Sequence, residues 1–196
     1  MSKGEATRER IVSHAFLLAG RDGLEGLSIG TLADELKLSK SGLFAHFGSK
    51  EELQVAVLDL ASSLYTERVM LPAFKAPRGL PRLRSIFENW VGWVTDARTP
   101  GGCFFQQANV ELDDRTGRPH DVLVEQQKSL IDALAKTVQL AIDEKHFVKD
   151  TDPRQFAFEF EGIMMALNMY YRLMKDRRAV DRAQAAFERL VASHQP

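Results

Sequence analysis

The sequence predicts an all-α protein of about nine helices, and three observations support this fold class. Apolar residues recur at helical spacing in the long segments of the chain. No segment keeps the alternating apolar and polar pattern of a half-buried strand. The prolines, seven in number, fall with glycines in the gaps between the helical segments, where they end one helix or begin the next.

Four helices are predicted in the N-terminal part. Ser28 and Ser39 each precede a short apolar-periodic run and are suited to cap a helix N-terminus. Ser49 and Glu52 have the spacing of a capping box, which opens a longer helix. The predicted helices run over about 7–19, 28–36, 40–47 and 50–70.

The remaining helices follow a linker at 71–81 that holds three prolines. Pro119 and Pro153 stand where a proline of the first helical turn belongs. The predicted helices run over about 82–98, 103–112, 119–146, 153–176 and 178–193.

Composition narrows the function classes. Of the 196 residues 44% are hydrophobic and 27% charged, and the mean hydropathy is −0.23, which are ordinary globular values. No apolar run approaches the roughly 18 residues of a membrane span. The single cysteine excludes an internal disulfide and a Cys-rich zinc site. We therefore expect a soluble, cytoplasmic protein without a membrane partner, metal site or cofactor.

Residues 28–47, SIGTLADELKLSKSGLFAHF, contain two short predicted helices separated by three residues. Leu32 of the first and Leu43 and Phe47 of the second are placed to face inward. This spacing fits a helix-turn-helix motif, whose second helix enters the DNA major groove. The net charge of the chain is only −1, but residues 37–50 carry three lysines before the first acid. An ordinary helical corner with a solvated polar face fits the spacing equally well.

A family resemblance favours the DNA-binding interpretation. The segments TRERIVSHAF and GLEGLSIGTLADELKLSKSGLFAHFGSKEEL resemble the DNA-binding domain of the TetR family of bacterial transcriptional regulators. The resemblance implies a DNA-binding domain at 6–66, with its helix-turn-helix at 28–47, and a ligand-binding and dimerisation domain at 67–196. It also implies a homodimeric repressor that binds a palindromic DNA operator and is released by a small-molecule inducer.

The resemblance assigns DNA contacts to individual residues. Phe44 stands where the family usually has tyrosine, so a hydroxyl contact to phosphate is lost and apolar contact with sugar or a thymine methyl remains. Lys37 replaces the usual turn glycine; in a left-handed conformation this costs about 1 kcal/mol. His46 is either a phosphate contact or a packed histidine. The implied contacts are Thr31, Ser39, Lys40, Ser41, Gly42, Phe44, His46 and Lys50.

The C-terminal part supplies candidates for a ligand pocket and a dimer interface. A pocket would be lined by aromatic residues and methionines with a few polar groups, although plain core packing explains each apolar residue as well. Cys103 is either an oxidant-sensing thiol or a small buried residue. The pocket candidates are Phe87, Trp90, Trp93, Cys103, Phe104, Phe105, Leu130, Leu134, Glu161, Met165, Asn168 and Met169. The helix over 153–176 is apolar on two faces, which predicts burial against neighbours or another subunit; the interface candidates are Gly162, Ala166, Phe187, Leu190 and Val191.

No catalytic motif stands out in the sequence. The five histidines are scattered, and no phosphate-binding glycine loop or nucleophile elbow is present. We therefore expect a regulator and not an enzyme. The alternative from another class is an all-α small-molecule carrier or enzyme whose N-terminal helices are only structural.

Overall fold

The computed structural model describes residues 2–96 and 102–196, and within them the chain forms helices and no strands. The nine helices confirm the predicted fold class. Two of them contain a π-helical turn. α4 continues through the π-turn Thr66–Met70 into Leu71–Ala73, and α8 ends in the π-turn Met169–Leu173. The helices are α1 Lys3–Asp22, α2 Ile29–Leu36, α3 Lys40–Phe47, α4 Lys50–Tyr65, α5 Leu80–Thr95, α6 Phe104–Leu112, α7 Arg118–Asp143, α8 Pro153–Asn168 and α9 Ala179–Ala192.

Counting the π-helical turns, the helix boundaries lie within four residues of the sequence prediction. The fourth helix was expected to stop near Met70 but reaches Ala73, because the Leu71 amide donates to the Thr66 carbonyl five residues earlier and the wider turn carries the helix past Pro72. The fifth helix was expected to reach Arg98, which lies outside the described residues, but it ends at Thr95.

The described chain divides into two compact units, residues 2–64 with 102–125 and residues 65–96 with 126–196. The sequence prediction divided the chain at 66/67. The first compact unit also includes α6 and the first turns of α7.

The first unit is held together by the apolar faces of its helices. Ile11 and Ala15 of α1 and Leu53 of α4 are fully buried. The Phe16 ring lies 5.4 Å, centroid to centroid, from the ring of Phe104 in α6. Burying an aliphatic or aromatic side chain of this size stabilises a fold by roughly 1.5–3 kcal/mol, so these contacts fix where α1 and α6 lie.

Only half of the predicted capping box forms at α4. The Ser49 hydroxyl accepts from the Glu52 amide at 3.1 Å, as the spacing predicted. The Glu52 carboxylate instead pairs with Arg118 of α7, with Nη1 to Oε1 at 2.8 Å. A charged partner brought close by the fold outcompetes the local amide for this carboxylate.

The second unit is built around stacked phenylalanines. The rings of Phe87 in α5 and Phe187 in α9 are parallel, with centroids 4.3 Å apart and an interplanar angle of 4°. Phe160 of α8 meets both edge-on, at 6.1 Å from Phe87 and 5.6 Å from Phe187. This trio locks α5, α8 and α9 together.

None of the described helices combines the length and the apolar character that crossing a lipid bilayer requires.

Candidate nucleic-acid interface

The α2–α3 pair has the geometry of a helix-turn-helix. Ser28 caps α2, with the Thr31 amide 3.4 Å from its hydroxyl, and Ser39 caps α3, with the Gly42 amide at 3.0 Å. Leu32 and Leu43 are fully buried where the two helices pack. Two capped helices with a shared apolar seam hold the outer face of α3 rigidly toward solvent.

The turn between the helices is strained at Lys37. Its backbone is left-handed, with φ 55° and ψ 44°. The Lys37 amide donates to the Asp34 carbonyl at 3.2 Å, and the Leu38 amide donates to the Ala33 carbonyl at 2.8 Å, which closes α2 with the bonds of a left-handed C-cap. Lys37 therefore has the left-handed conformation in which a lysine costs about 1 kcal/mol of stability relative to glycine.

The outer face of α3 carries most of the residues assigned to DNA. Lys40, Ser41, Gly42 and Phe44 are all exposed, and so are the cap Ser39 and Thr31 in the first turn of α2. A β-carbon built on Gly30 of α2 would lie 3.5 Å from Cε of Lys40. The first turns of α2 and α3 therefore lie side by side, and these six residues share one surface.

Lys50 and His46, the other two residues assigned to DNA, already have contacts within the protein. The Lys50 ammonium donates to the Glu25 carbonyl at 2.6 Å and lies 3.7 Å from the Glu25 carboxylate. His46 is half-buried, with its ring 6.3 Å from that of Phe47. Lys50 thus fastens the loop before α2, and His46 is partly packed.

Sequence reasoning missed two residues that position the motif. Gln54 of α4 is 3% exposed and donates to the Leu24 carbonyl at 3.2 Å and to a Glu25 carboxylate oxygen at 2.9 Å. Glu111 of α6 accepts from the Glu25 amide at 2.9 Å. With Lys50 they hold the α1–α2 loop from two sides. A polar glutamine within the apolar run of α4 was the available signal for Gln54; no local signal marks Glu111.

Arg8 and Ala45 also belong to this region. The Arg8 guanidinium lies 5.1 Å from the Phe47 ring centroid, a cation–π contact between α1 and α3. Ala45 is exposed next to Phe44. Ala45 has no polar group, so no signal in the sequence marked it as part of this surface.

The ligand-pocket candidates divide between the two units. Phe87, Trp90, Trp93 and Leu134 are buried in the second unit, where Leu130, Glu161 and Asn168 are half-buried. Cys103, Phe104 and Phe105 are buried in the first unit. Met165 and Met169 are 58% and 46% exposed, so they lie on the outside of α8 and leave its core face to Phe160 and Met164.

An aromatic cluster of Tyr65, Trp90 and Trp93 occupies the core of the second unit. The Tyr65 ring meets both indoles edge-on, with centroids 5.5 Å from Trp90 and 5.8 Å from Trp93. Within the described residues neither indole N–H has a hydrogen-bond acceptor, although both side chains are at least 95% buried. Each such buried donor costs roughly 1–3 kcal/mol until it is paired.

Glu161 of α8 is a half-buried acidic residue. Burial raises the pKa of its carboxyl above the ordinary value, and no ion pair within the described residues joins it. The charged form is therefore disfavoured in the folded protein.

An exposed apolar face runs along α8 into its π-helical turn. Phe158, Leu173 and Met174 are 70%, 78% and 58% exposed and continue the surface of Met165 and Met169. Beside them α8 and α9 form a groove of about 400 Å³, lined chiefly by small and aliphatic residues such as Gly162, Ala166 and Ala183.

The interface candidates divide between this face and the core. Gly162 and Ala166 are exposed on α8, as an interface requires. Phe187, Leu190 and Val191 are 1%, 6% and 1% exposed. These three pack inside the protomer, because α9 turns its apolar stripe toward Phe87 and Phe160.

These features define a helix-turn-helix DNA-binding protein with a second helical unit. Residues 11–57 match the family described as "Bacterial regulatory proteins, tetR family", and residues 79–187 match "Tetracyclin repressor-like, C-terminal domain". The chain therefore belongs to the TetR family, and it is a transcriptional regulator and not an enzyme. Among the described residues no group of three or more His, Cys, Asp or Glu side chains is placed to hold a metal ion.

Relatives agree with this assignment. An HTH-type transcriptional regulator from Saccharopolyspora erythraea is 38% identical over 71 residues, which are 36% of this chain and 28% of that protein. The chain thus matches little more than a quarter of this relative's length.

Two solved structures share the whole fold. A TetR transcriptional regulator from Chloroflexus aurantiacus J-10-FL has a TM-score of 0.86 and 22% identity, covering 98% of this chain and 96% of its own. AibR, solved in complex with isovaleryl coenzyme A and operator DNA, has a TM-score of 0.75 and 21% identity, covering 96% and 98%.

Proposed function

We propose that this regulator is a homodimeric repressor, which binds a roughly palindromic operator through α3 and is released by a small molecule held in the second unit. The observation that carries the proposal is the rigid, capped α2–α3 pair, whose outer face presents a lysine and small residues to solvent. Such a regulator acts where the genome is, so we place it in the bacterial cytoplasm.

The N-terminal end of α3 is suited to approach DNA closely. Ser41 and Gly42 present little bulk, and the free backbone amides of the first turns attract phosphate oxygens. Lys40 adds a mobile positive charge, and Thr31 and Ser39 flank it with hydroxyl groups. We assign Lys50 chiefly to holding the α1–α2 loop, because its ammonium is already bonded to Glu25.

The exposed face of α8 is suited to receive a second copy of the chain. Its five large apolar side chains are between 46% and 78% exposed. Contact of this apolar surface with water is unfavourable, and a second copy packed against it would remove that contact. Gly162 and Ala166 lie one turn apart and let a partner helix come close. A two-fold interface of this kind would place two α3 helices on two half-sites of one operator.

The aromatic cluster of the second unit is suited to hold the small molecule. The unpaired N–H groups of Trp90 and Trp93 favour a largely apolar ligand that carries a hydrogen-bond acceptor. The fold shared with AibR, which holds an acyl coenzyme A and operator DNA, supports a regulator with both kinds of partner. The ligand would release DNA only if it binds the DNA-free arrangement better.

The proposal is tested on the full chain with DNA selected from a random-sequence library. Lys40→Ala should weaken binding to the selected operator and lower the slope of log affinity against log salt by about 1. Lys149→Ala removes a lysine of the second unit that is also exposed, and it is the matched control, for which we expect no change. If the selection returned no preferred sequence, or if both variants behaved alike, α3 would not be the DNA-binding surface, and a helical carrier would explain the fold better.

A further inference from the structure

The outer face of α3 is unusually poor in groups that read bases through hydrogen bonds. Guanine is commonly read by arginine or lysine and adenine by asparagine or glutamine. The exposed residues of α3 are Lys40, Ser41, Gly42, Phe44 and Ala45, so arginine, asparagine and glutamine are absent from this described helix.

Its two polar side chains, Lys40 and Ser41, lie at the N-terminal end of the helix. The Lys40 ammonium lies over the first turn of α2, 3.6 Å from where a β-carbon on Gly30 would stand. The Ser41 hydroxyl lies 3.3 Å from that of Ser39, which already accepts from the Gly42 amide. The middle of the helix is left to Phe44 and Ala45, which are apolar.

Phe44 is the dominant feature of this face. It is 48% exposed, whereas the other two large apolar side chains of α3, Leu43 and Phe47, are 0% and 8% exposed. It lies one turn beyond Lys40 on the same stripe, so a helix that enters the major groove carries this ring in with it. The apolar group that the major groove offers to such a ring is the 5-methyl of thymine.

We propose that Phe44 is a specificity-determining residue that selects a thymine in each operator half-site through van der Waals contact with its 5-methyl group. This inference rests on the proposed operator binding. The Phe44 ring has no hydrogen-bonding group, so it would recognise the thymine by shape and apolar contact alone.

The test replaces each thymine of the selected operator in turn by deoxyuridine, which pairs identically and lacks only the methyl group. Burial of one methyl group corresponds to about fourfold in affinity. We therefore expect one thymine per half-site whose replacement weakens binding about fourfold, and about 15-fold when both half-sites are changed. Replacement at the other thymines should have little effect.

A variant links the effect to the residue. Phe44→Ala should bind the unmodified operator more weakly and lose the penalty for deoxyuridine at the selected position. Phe74→Ala removes a phenylalanine that is 49% exposed in the second unit, and it should keep the full penalty. Circular dichroism verifies that both variants keep their helix content.

The possible failures are distinguishable. Absence of any sequence preference would refute operator binding itself. Specific binding with no methyl-sensitive thymine, or a Phe44→Ala protein that keeps the wild-type deoxyuridine penalty, would leave operator binding intact and overturn the role of Phe44.

Discussion

Replacing Lys37 by glycine should stabilise the protein, because the native backbone at this residue is left-handed. Glycine accepts that conformation without a steric cost, whereas any residue with a β-carbon does not. Lys37→Ala is the matched control, since it removes the same charge and side chain but keeps the β-carbon. The difference between the two variants isolates the backbone term.

The expected difference follows from two opposing contributions. A β-carbon in the left-handed region costs roughly 1–2 kcal/mol. Glycine loses more conformational freedom on folding than alanine does, and this opposes the gain by roughly 0.5–1 kcal/mol. The free energy of unfolding of Lys37→Gly should therefore exceed that of Lys37→Ala by about 0.5–1 kcal/mol. In a chain of this length each kcal/mol raises the Tm by about 2–4 °C.

Hydrogen exchange at the Leu38 amide gives the most local assay. This amide donates to the Ala33 carbonyl at 2.8 Å in the bond that closes α2. If it exchanges through local opening, a gain of about 1 kcal/mol slows its exchange about fivefold in Lys37→Gly relative to Lys37→Ala. Equal protection and equal unfolding free energies in the two variants would refute the argument that Lys37 is strained.

Two further predictions concern the second unit. Phe158→Glu combined with Met165→Glu should convert the proposed dimer to a monomer in analytical ultracentrifugation, because two carboxylates would otherwise be buried against an apolar partner. Val110→Glu, at a side chain 73% exposed in the first unit, should leave the proposed dimer intact, and a double variant that still dimerises would remove α8 from the proposed interface. Since burial raises the pKa of Glu161, the folded state binds its proton more tightly, and stability should fall as the pH rises through the interval between the ordinary and the raised pKa. Glu161→Gln should flatten that fall in a series of urea titrations, and an unchanged pH profile would contradict the assignment.

The N-terminal helices could be predicted well because their signals are local. Ser28 and Ser39 cap helices that begin one residue later, and the apolar periodicity places Leu32, Leu43 and Phe47 on the buried side, where the structure has them. Caps and periodicity depend on residues within one or two turns, so both can be read from the sequence without knowledge of the fold.

Contacts between distant segments could not be predicted. The bonds from Lys50 and Glu111 to the loop at Glu25 join residues 25 and 86 positions apart. Periodicity also cannot tell which apolar face meets the protomer's own core. For this reason Phe187, predicted at an interface, is in the core, whereas Met165, predicted in a pocket, is exposed.

Specific operator binding by the outer face of α3 can be measured by fluorescence anisotropy. The full chain is titrated with DNA from upstream of its own gene and with an unrelated fragment, over about 50–200 mM salt. We expect much tighter binding to the upstream fragment, with an affinity that falls steeply as the salt concentration rises. Equally weak binding to both fragments would show that the upstream DNA holds no operator, and the same result with library-selected DNA would refute specific DNA binding by α3.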